Sequence, residues 1–301
     1  MSDSEFKAQD ASSYDGVTGS FDRFTQSYTT PLAERMIELA GLRSGERVLD
    51  VGTGTGVVGL LAAKRAGPGC VMGVDLSDAM LEKARAKAEA SGAGLELRKM
   101  DAESLDLEAG SFDCVLSLFA LTHFPDPAQA LKEMHRILRP NGTLTLAVGS
   151  GPPATSLSGW LRRVGKALDL ALASLGRRCV ATGSLEKWMD SRLPSSGQEE
   201  SAWAVQHSNR AAILPDLVRA AGFVSVRTSW MGRTAELETP EEFWELQATN
   251  SSRVRKRLGS IEPETVDSLR QEYLDHCRKV VERGGKLVYP YAALFVTARL
   301  P

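Results

Sequence analysis

The stretch Leu49-Asp50-Val51-Gly52-Thr53-Gly54-Thr55-Gly56 decides the fold. The residues from Val48 to Val51 predict a short strand, and a helix predicted to reach about Arg65 follows the glycines. Glycines permit a tight turn and let a ligand approach the backbone closely. The start of the following helix adds free N–H groups and a partial positive charge. The stretch therefore predicts a ligand-binding turn in an α/β fold, with a plain glycine-rich turn as the alternative for the loop taken alone.

The glycine spacing narrows the class of ligand. Gly56 comes two residues after Gly54, whereas the dinucleotide fingerprint requires its third glycine at position 57, which is Val57. Asp50 precedes Gly52 by two positions. This pattern suits a ligand that presents an amino-acid end rather than a pyrophosphate. A nicotinamide-dependent reductase is disfavoured further, because the sequence has no tyrosine followed by lysine four positions later.

Strands and helices alternate around this loop, which predicts βαβ units and a doubly wound, mostly parallel sheet. The pattern predicts strands at Arg47–Val51, Val71–Asp75, Leu95–Met100, Phe112–Leu118, Thr143–Val148, Phe223–Trp230 and Leu287–Arg299, and helices that include Ala79–Ala90, Pro127–Leu138, Leu214–Ala221, Glu241–Leu258 and Glu264–Arg283. The rhythm breaks after Gly149. We divide the chain into an N-terminal helical lid segment (1–43), an α/β core (44–149), an insertion or lid (150–209), and a C-terminal part of the core (210–301) with a helical insertion (235–285).

Two further acidic residues follow predicted strands. Asp75 ends the second strand and Asp101 follows the third. Open α/β sheets bind ligands at the carboxyl ends of their strands, where Asp75 can accept hydrogen bonds from both ribose hydroxyls. Asp101 is placed to accept from an adenine amino group. Each carboxylate taken singly is equally well explained as a helix N-cap or a solvated charge.

Five motifs in order resemble those of class I S-adenosylmethionine-dependent methyltransferases, most closely the small-molecule branch that includes the ubiquinone/menaquinone C-methyltransferases. The motifs are Leu49–Gly56, Gly73–Leu81, Asp101–Glu103, Phe112–Val115 and Leu138–Thr143. The resemblance implies a seven-stranded Rossmann-like sheet whose last strand is antiparallel to the others. It also implies S-adenosylmethionine as cofactor, with S-adenosylhomocysteine as product.

The resemblance also implies roles for individual residues. The loop residues Gly52, Thr53, Gly54 and Gly56 would hold the methionine end of the cofactor, with Asp50 supporting the loop. Asp75 would hold the ribose. The remaining contacts would come from residues beside the adenine and the methionine: Leu76, Met80, Asp101, Ala102, Ser117 and Phe119.

Methyl transfer needs positioning, a dry site and a deprotonated acceptor more than a strong acid–base constellation. His123 is the best candidate base, because it follows the fourth strand on the cofactor side of the sheet. A structural role in the loop is the alternative for His123. His207 is a weaker candidate, and His135 and His276 are expected to be structural.

Aromatic residues outside the central α/β unit predict a lid over a small apolar or aromatic acceptor, methylated at carbon or oxygen. The candidate acceptor-binding residues are Tyr14, Phe21, Tyr28 and Trp160. Ordinary packing of a cap is the alternative for each of them. A macromolecule methyltransferase and a cofactor-binding protein with regulatory or non-methylating chemistry are the competing functions.

The composition is that of an ordinary globular chain, with 43% hydrophobic and 25% charged residues. The formal net charge of −2 gives no drive toward nucleic acid. The apolar runs are too short to span a bilayer. Four scattered cysteines show no metal-binding spacing and fit a reducing compartment. We therefore expect no metal, no nucleic-acid partner and no membrane span, a cytoplasmic location, and a monomer or homodimer.

Overall fold

Seven strands form one sheet in a computed structural model of the chain, which describes residues 2–151, 164, 184–193 and 210–301. In chain order the strands are β1 (Val48–Val51), β2 (Val71–Asp75), β3 (Glu96–Lys99), β4 (Phe112–Leu118), β5 (Leu138–Gly149), β6 (Val224–Leu237) and β7 (Leu287–Arg299). Their order across the sheet is β3-β2-β1-β4-β5-β7-β6. The pairs from β3 to β5 are parallel and β7 is antiparallel to β5, which confirms the predicted fold class.

The strand order places the glycine loop at a switch point. From β1 the chain winds outward through β2 and β3, then returns to β4 on the other side of β1 and continues to β5. Crossovers on the two sides of such a point leave a crevice at the carboxyl ends of the strands. The loop after β1 and the residues after β4 therefore meet at this crevice.

Helices of the first unit, which comprises residues 1–150, 200–231 and 293–301, pack around this sheet. They are α1 (Asp3–Ser12), α2 (Thr18–Phe24), α3 (Thr30–Ala40), α4 (Val57–Ala66), α5 (Asp78–Ser91), α6 (Pro127–Ile137) and α8 (Arg210–Ala220), with a π-helical turn (Thr25–Thr29) and a short 3₁₀ turn (Leu121–His123). The central strands are buried on both faces, as parallel strands covered by helices must be. α6 packs its apolar face against them through Leu131 and Met134.

Helix α1 begins with a capping box. The Ser2 hydroxyl accepts from the Glu5 N–H at 3.3 Å, and the Glu5 carboxylate accepts from the Ser2 N–H at 2.6 Å. This reciprocal pair satisfies two of the donors that a helix start leaves free. One face of α1 is covered, because Phe6 and Asp10 are buried four residues apart.

The second unit comprises residues 151–199 and 232–292. Its described helices are α7 (Leu185–Asp190), α9 (Pro240–Asn250), α10 (Ser252–Gly259) and α11 (Pro263–Glu282). Tyr273 stacks on Phe243 at 6.3 Å and meets Trp188 edge-on at 5.3 Å. Within this unit, these aromatic side chains pack a core rather than presenting an open aromatic surface.

Several predicted element boundaries were wrong, and the strand predicted at Phe223–Trp230 extends to Leu237. The single helix predicted at Glu241–Leu258 breaks at Ser251, whose backbone is extended (ψ 113°) and whose hydroxyl accepts from the Val254 N–H to cap a new helix. Serine competes for backbone hydrogen bonds in this way at helix starts. β5 begins at Leu138 rather than Thr143, because a register shift against β4 accommodates the extra residues. In the part of the chain that the structure describes, no helix is long and apolar enough to cross a membrane.

Candidate functional site

The glycine loop turns through three left-handed residues after β1. Gly52, Gly54 and Gly56 have φ of 69°, 54° and 83°, a region that disfavours side chains. The Gly52 N–H donates to the Val74 carbonyl at 2.8 Å, which ties the loop to β2. A Cβ on Gly52 would lie 2.2 Å from the Cβ of Ala120, whereas a Cβ on Gly54 would meet open space. Gly52 is therefore needed for the close approach of the loop to Ala120 after β4, whereas the space beside Gly54 is open toward the crevice.

Asp50 is buried beneath the loop. It is 1% exposed and accepts a hydrogen bond from the Thr53 hydroxyl at 2.6 Å. Burial raises the pKa of Asp50 to about 7, and hydrogen bonds from Thr53 and from the backbone of Gly59 offset part of that rise. The nearby charge of Asp75 raises the pKa of Asp50 further. The carboxyl group thus joins the end of β1 to the loop that follows it.

Replacing Asp50 by asparagine is expected to make the free energy of unfolding less dependent on pH below about 7. A carboxyl whose pKa is raised on folding binds its proton more tightly in the folded chain. It therefore adds to the free energy of unfolding in acid, and this addition is lost as the pH rises toward about 7. Wild-type stability should therefore fall between about pH 4 and pH 7 more than that of D50N. Denaturant unfolding across this range measures the difference. Equal slopes for both proteins would contradict the expectation, and D78N, on an exposed carboxylate, is the control.

Asp75 lies at the end of β2 and its carboxylate faces the glycine loop. One oxygen accepts from the Gly54 N–H at 2.8 Å and the other from the Ser77 N–H at 3.0 Å. Burial raises the pKa of Asp75, and these N–H groups together with the charge of His123 offset part of that rise. A carboxylate has about four lone-pair sites, so Asp75 can still accept from a ligand hydroxyl besides these N–H groups.

Asp101 is held by the N-terminal helix. The Lys7 ammonium lies 2.7 Å from Asp101 and 2.5 Å from Glu103, and Glu103 also accepts from the Asp126 N–H at 2.8 Å. Burial lowers the pKa of Lys7, but the hydrogen bonds and charges of both carboxylates raise it more. One oxygen of Asp101 is therefore bound to the Lys7 ammonium, and the other accepts from the Glu103 N–H at 3.0 Å.

The remaining predicted cofactor residues lie on the same edge of the sheet in different environments. The Ser117 hydroxyl is buried and donates to the Val51 carbonyl at 2.8 Å, so its hydrogen is used within the sheet. Phe119 adopts a left-handed conformation (φ 65°), which is uncommon for a bulky residue and marks a constrained turn after β4. The others are buried or partly buried around β2 and β3: Leu76, Met80 and Ala102.

His123 ends the 3₁₀ turn after β4. Its Nδ1 lies 2.9 Å from a carboxylate oxygen of Asp10, and its ring centroid lies 6.4 Å from that of Tyr14. The charge of His123 also lowers the pKa of Asp75, the carboxyl that accepts from the Gly54 N–H. The candidate base therefore interacts electrostatically with the carboxyl group that lies against the glycine loop.

The predicted acceptor-binding aromatics divide into two pairs. Tyr14 meets Phe21 edge-on at 5.4 Å and also contacts His123, whereas Tyr28 stacks on Phe24 at 6.3 Å along the π-helical turn. Trp160 lies outside the described residues. Among the described ring contacts, the one to the candidate base His123 comes from Tyr14 of the first pair.

A methyltransferase-domain family model matches residues 48–142. Nocamycin O-methyltransferase of Saccharothrix syringae is 30% identical over an alignment that covers 95% of this chain and 97% of that protein. The chain belongs to the class I S-adenosylmethionine-dependent methyltransferases. The demethylmenaquinone methyltransferase of Thermus thermophilus is 38% identical over 119 residues, which span 40% of this methyltransferase and 54% of that relative. The relatives belong to the small-molecule branch, as the motifs predicted.

A solved structure agrees on the fold. A methyltransferase structure from Bacillus halodurans superposes with a TM-score of 0.54 at 24% identity, covering 89% of this methyltransferase and 98% of that chain. The cofactor is S-adenosylmethionine, and the observed site fits it. Gly54 leaves open space at the crevice. The buried Thr55 hydroxyl has no hydrogen-bond partner among the described residues, and a bound ligand would offer it one.

Three residues of the site were not predicted from the sequence. Lys7 and Asp10 lie about a hundred positions from their partners, so no local spacing connects them to Asp101 or His123. Ala120 has an unremarkable side chain, and only its approach to the glycine loop makes it matter. The capping-box pattern at Ser2 was the available signal for a helix in this segment.

Proposed function

We propose that this methyltransferase transfers a methyl group to a hydroxyl oxygen on a small, apolar or aromatic acceptor. The observation that carries the proposal is the imidazole of His123, whose Nδ1 is hydrogen-bonded to Asp10 and whose charge acts on Asp75. A neutral imidazole can take the proton from a hydroxyl as it is methylated. The full-length likeness to a protein named as an O-methyltransferase supports oxygen over carbon.

For the cofactor, we propose that the loop residues receive the methionine end and that Asp75 binds both ribose hydroxyls. Two carboxyl groups beneath and beside the loop, the buried Asp50 and the half-buried Asp75, favour a positively charged ligand. Asp101 would accept from the adenine amino group while Lys7 holds its other side. The side chains assigned to the adenine and methionine surfaces are Leu76, Met80, Ala102, Ser117 and Phe119.

S-adenosylmethionine supplies an electrophilic methyl group on a sulfonium, whose positive charge disperses during transfer. The chain's contribution is to orient the acceptor, exclude water and receive one proton. The Tyr14–Phe21 pair supports a planar apolar acceptor, because the Tyr14 ring lies 6.4 Å from the imidazole and the Phe21 ring packs edge-on against Tyr14. Tyr28 and Trp160 remain proposed acceptor-binding residues.

Replacing His123 by alanine is expected to slow methyl transfer by about 100-fold or more at saturating acceptor, because the proton loses its receiving group. A screen of hydroxylated metabolites with methyl-labelled S-adenosylmethionine provides the acceptor and the assay. The control is H276A, on an exposed helical position of α11. An H123A rate equal to wild type would remove His123 as the base, and labelling found only on carbon would overturn the proposed oxygen acceptor.

A further inference from the structure

Helix α1 brings a buried carboxylate to the proposed base. Asp10 is 7% exposed, and one of its oxygens lies 2.9 Å from Nδ1 of His123, across 113 positions of sequence. An ionised carboxylate can only accept a hydrogen bond, so the proton between these atoms belongs to Nδ1. A neutral imidazole with its hydrogen on Nδ1 has an unprotonated Nε2, which is the form a base requires.

The carboxylate is fixed in place by independent contacts on the same face of α1. Phe6 is buried four residues before Asp10, and Lys7 is bound to Asp101 and Glu103 at 2.7 and 2.5 Å. Residues at these spacings share one side of a helix. The contacts that dock α1 therefore also set the position of the Asp10 carboxylate.

Asp10 from α1 and Tyr14 from the turn after α1 lie against the imidazole. Asp75, at the end of β2, interacts with His123 through its charge. Asp10 is the one whose carboxylate makes the hydrogen bond to Nδ1. The ring of Tyr14 lies tilted at 54° to the imidazole, with 6.4 Å between the ring centroids.

We infer that Asp10 is a positioning residue, which holds His123 as the Nδ1–H tautomer and directs Nε2 toward the acceptor hydroxyl. This inference rests on the proposed function. The electron pair of the acceptor O–H bond stays on oxygen and forms the O–CH₃ bond, and the pair of the broken S–CH₃ bond stays on sulfur. The proton moves to Nε2, and the resulting imidazolium donates from Nδ1 to Asp10. In serine proteases, exchanging the corresponding aspartate for asparagine leaves the geometry but gives the wrong tautomer.

The test is a histidine ¹⁵N spectrum of the full chain loaded with S-adenosylhomocysteine, at a pH where the imidazole is neutral. The H123A spectrum assigns the His123 signals. In wild type we expect Nδ1 of His123 to be protonated and Nε2 unprotonated. In D10N the asparagine amide can donate to Nδ1, so the population should shift toward the Nε2–H tautomer. D10E should restore the wild-type pattern, and D15N, on an exposed residue after α1, should not alter it.

Two results would overturn the positioning role: a wild-type His123 that is mainly the Nε2–H tautomer, or a D10N spectrum identical to wild type. Unchanged signals from the other histidines show that D10N is folded. If D10N does not fold, the D10E spectrum is the test. D10E keeps a carboxylate at this position, so a His123 that is mainly the Nε2–H tautomer in D10E would contradict the inference. These outcomes are independent of the H123A rate, so the positioning role and the proposed base can fail separately.

Discussion

Replacing Asp75 by alanine should weaken S-adenosylmethionine binding by roughly 100-fold, the equivalent of about 3 kcal/mol. The expected loss comes from two hydrogen bonds between ribose hydroxyls and a half-buried carboxylate, each of which is stronger than a hydrogen bond between neutral groups. The carboxylate also accepts from the N–H groups of Gly54 and Ser77, so its removal loosens the loop that faces the ligand. Titration calorimetry with S-adenosylmethionine and S-adenosylhomocysteine measures the change.

The matched control for Asp75 is Asp78→Ala, three residues along the chain. Asp78 pairs with Lys99 at the surface and has a side chain that is 69% exposed, so its loss should leave cofactor affinity unchanged. D75N keeps the side chain's size but removes its charge, and should also bind the cofactor weakly. An affinity equal to wild type in folded D75A and D75N would refute the ribose assignment.

Replacing Gly52 by alanine should destabilise the folded chain by about 3 kcal/mol or more, lowering Tm by on the order of 10 °C. The left-handed φ of 69° accounts for about 1–2 kcal/mol of this penalty. The rest comes from the new methyl group, which would lie 2.2 Å from the Cβ of Ala120. Neither Cβ can rotate away, since both are attached directly to the backbone. A thermal unfolding curve for G52A that overlies wild type would contradict this packing.

Gly54→Ala should lower the affinity for S-adenosylmethionine much more than it lowers the stability of the fold. Its φ of 54° is also left-handed, but its Cβ would enter open space at the crevice. We expect a modest loss of stability, about 1 kcal/mol, and a much larger loss of S-adenosylmethionine affinity. Gly92→Ala is the matched control, because Gly92 (φ 61°) also has open space around it but caps the far end of α5. A G54A protein that binds the cofactor as tightly as G92A would show that Gly54 does not face the ligand.

The sequence predicted much of the core because its signals are local. The Val48–Gly56 strand and loop, the alternation that follows, and the acidic residues after β2 and β3 all lie within short windows whose periodicity reports secondary structure. The family and the cofactor followed from the same windows. The break at Ser251 was missed because a serine inside a helical pattern is tolerated in many helices, and only its cap to Val254 identifies a new start.

The sequence by itself determined the parallel sheet, the glycine loop and the cofactor class, since each depends on residues that are neighbours in the chain. Only the tertiary structure decided which residues complete the site. Gly52 is required by Ala120, Asp101 is held by Lys7, and His123 is bound to Asp10, in each case across more than 60 positions. Such pairs carry no periodic signal, because their contact is created by the packing of α1 and of the turn after β4 at the strand ends.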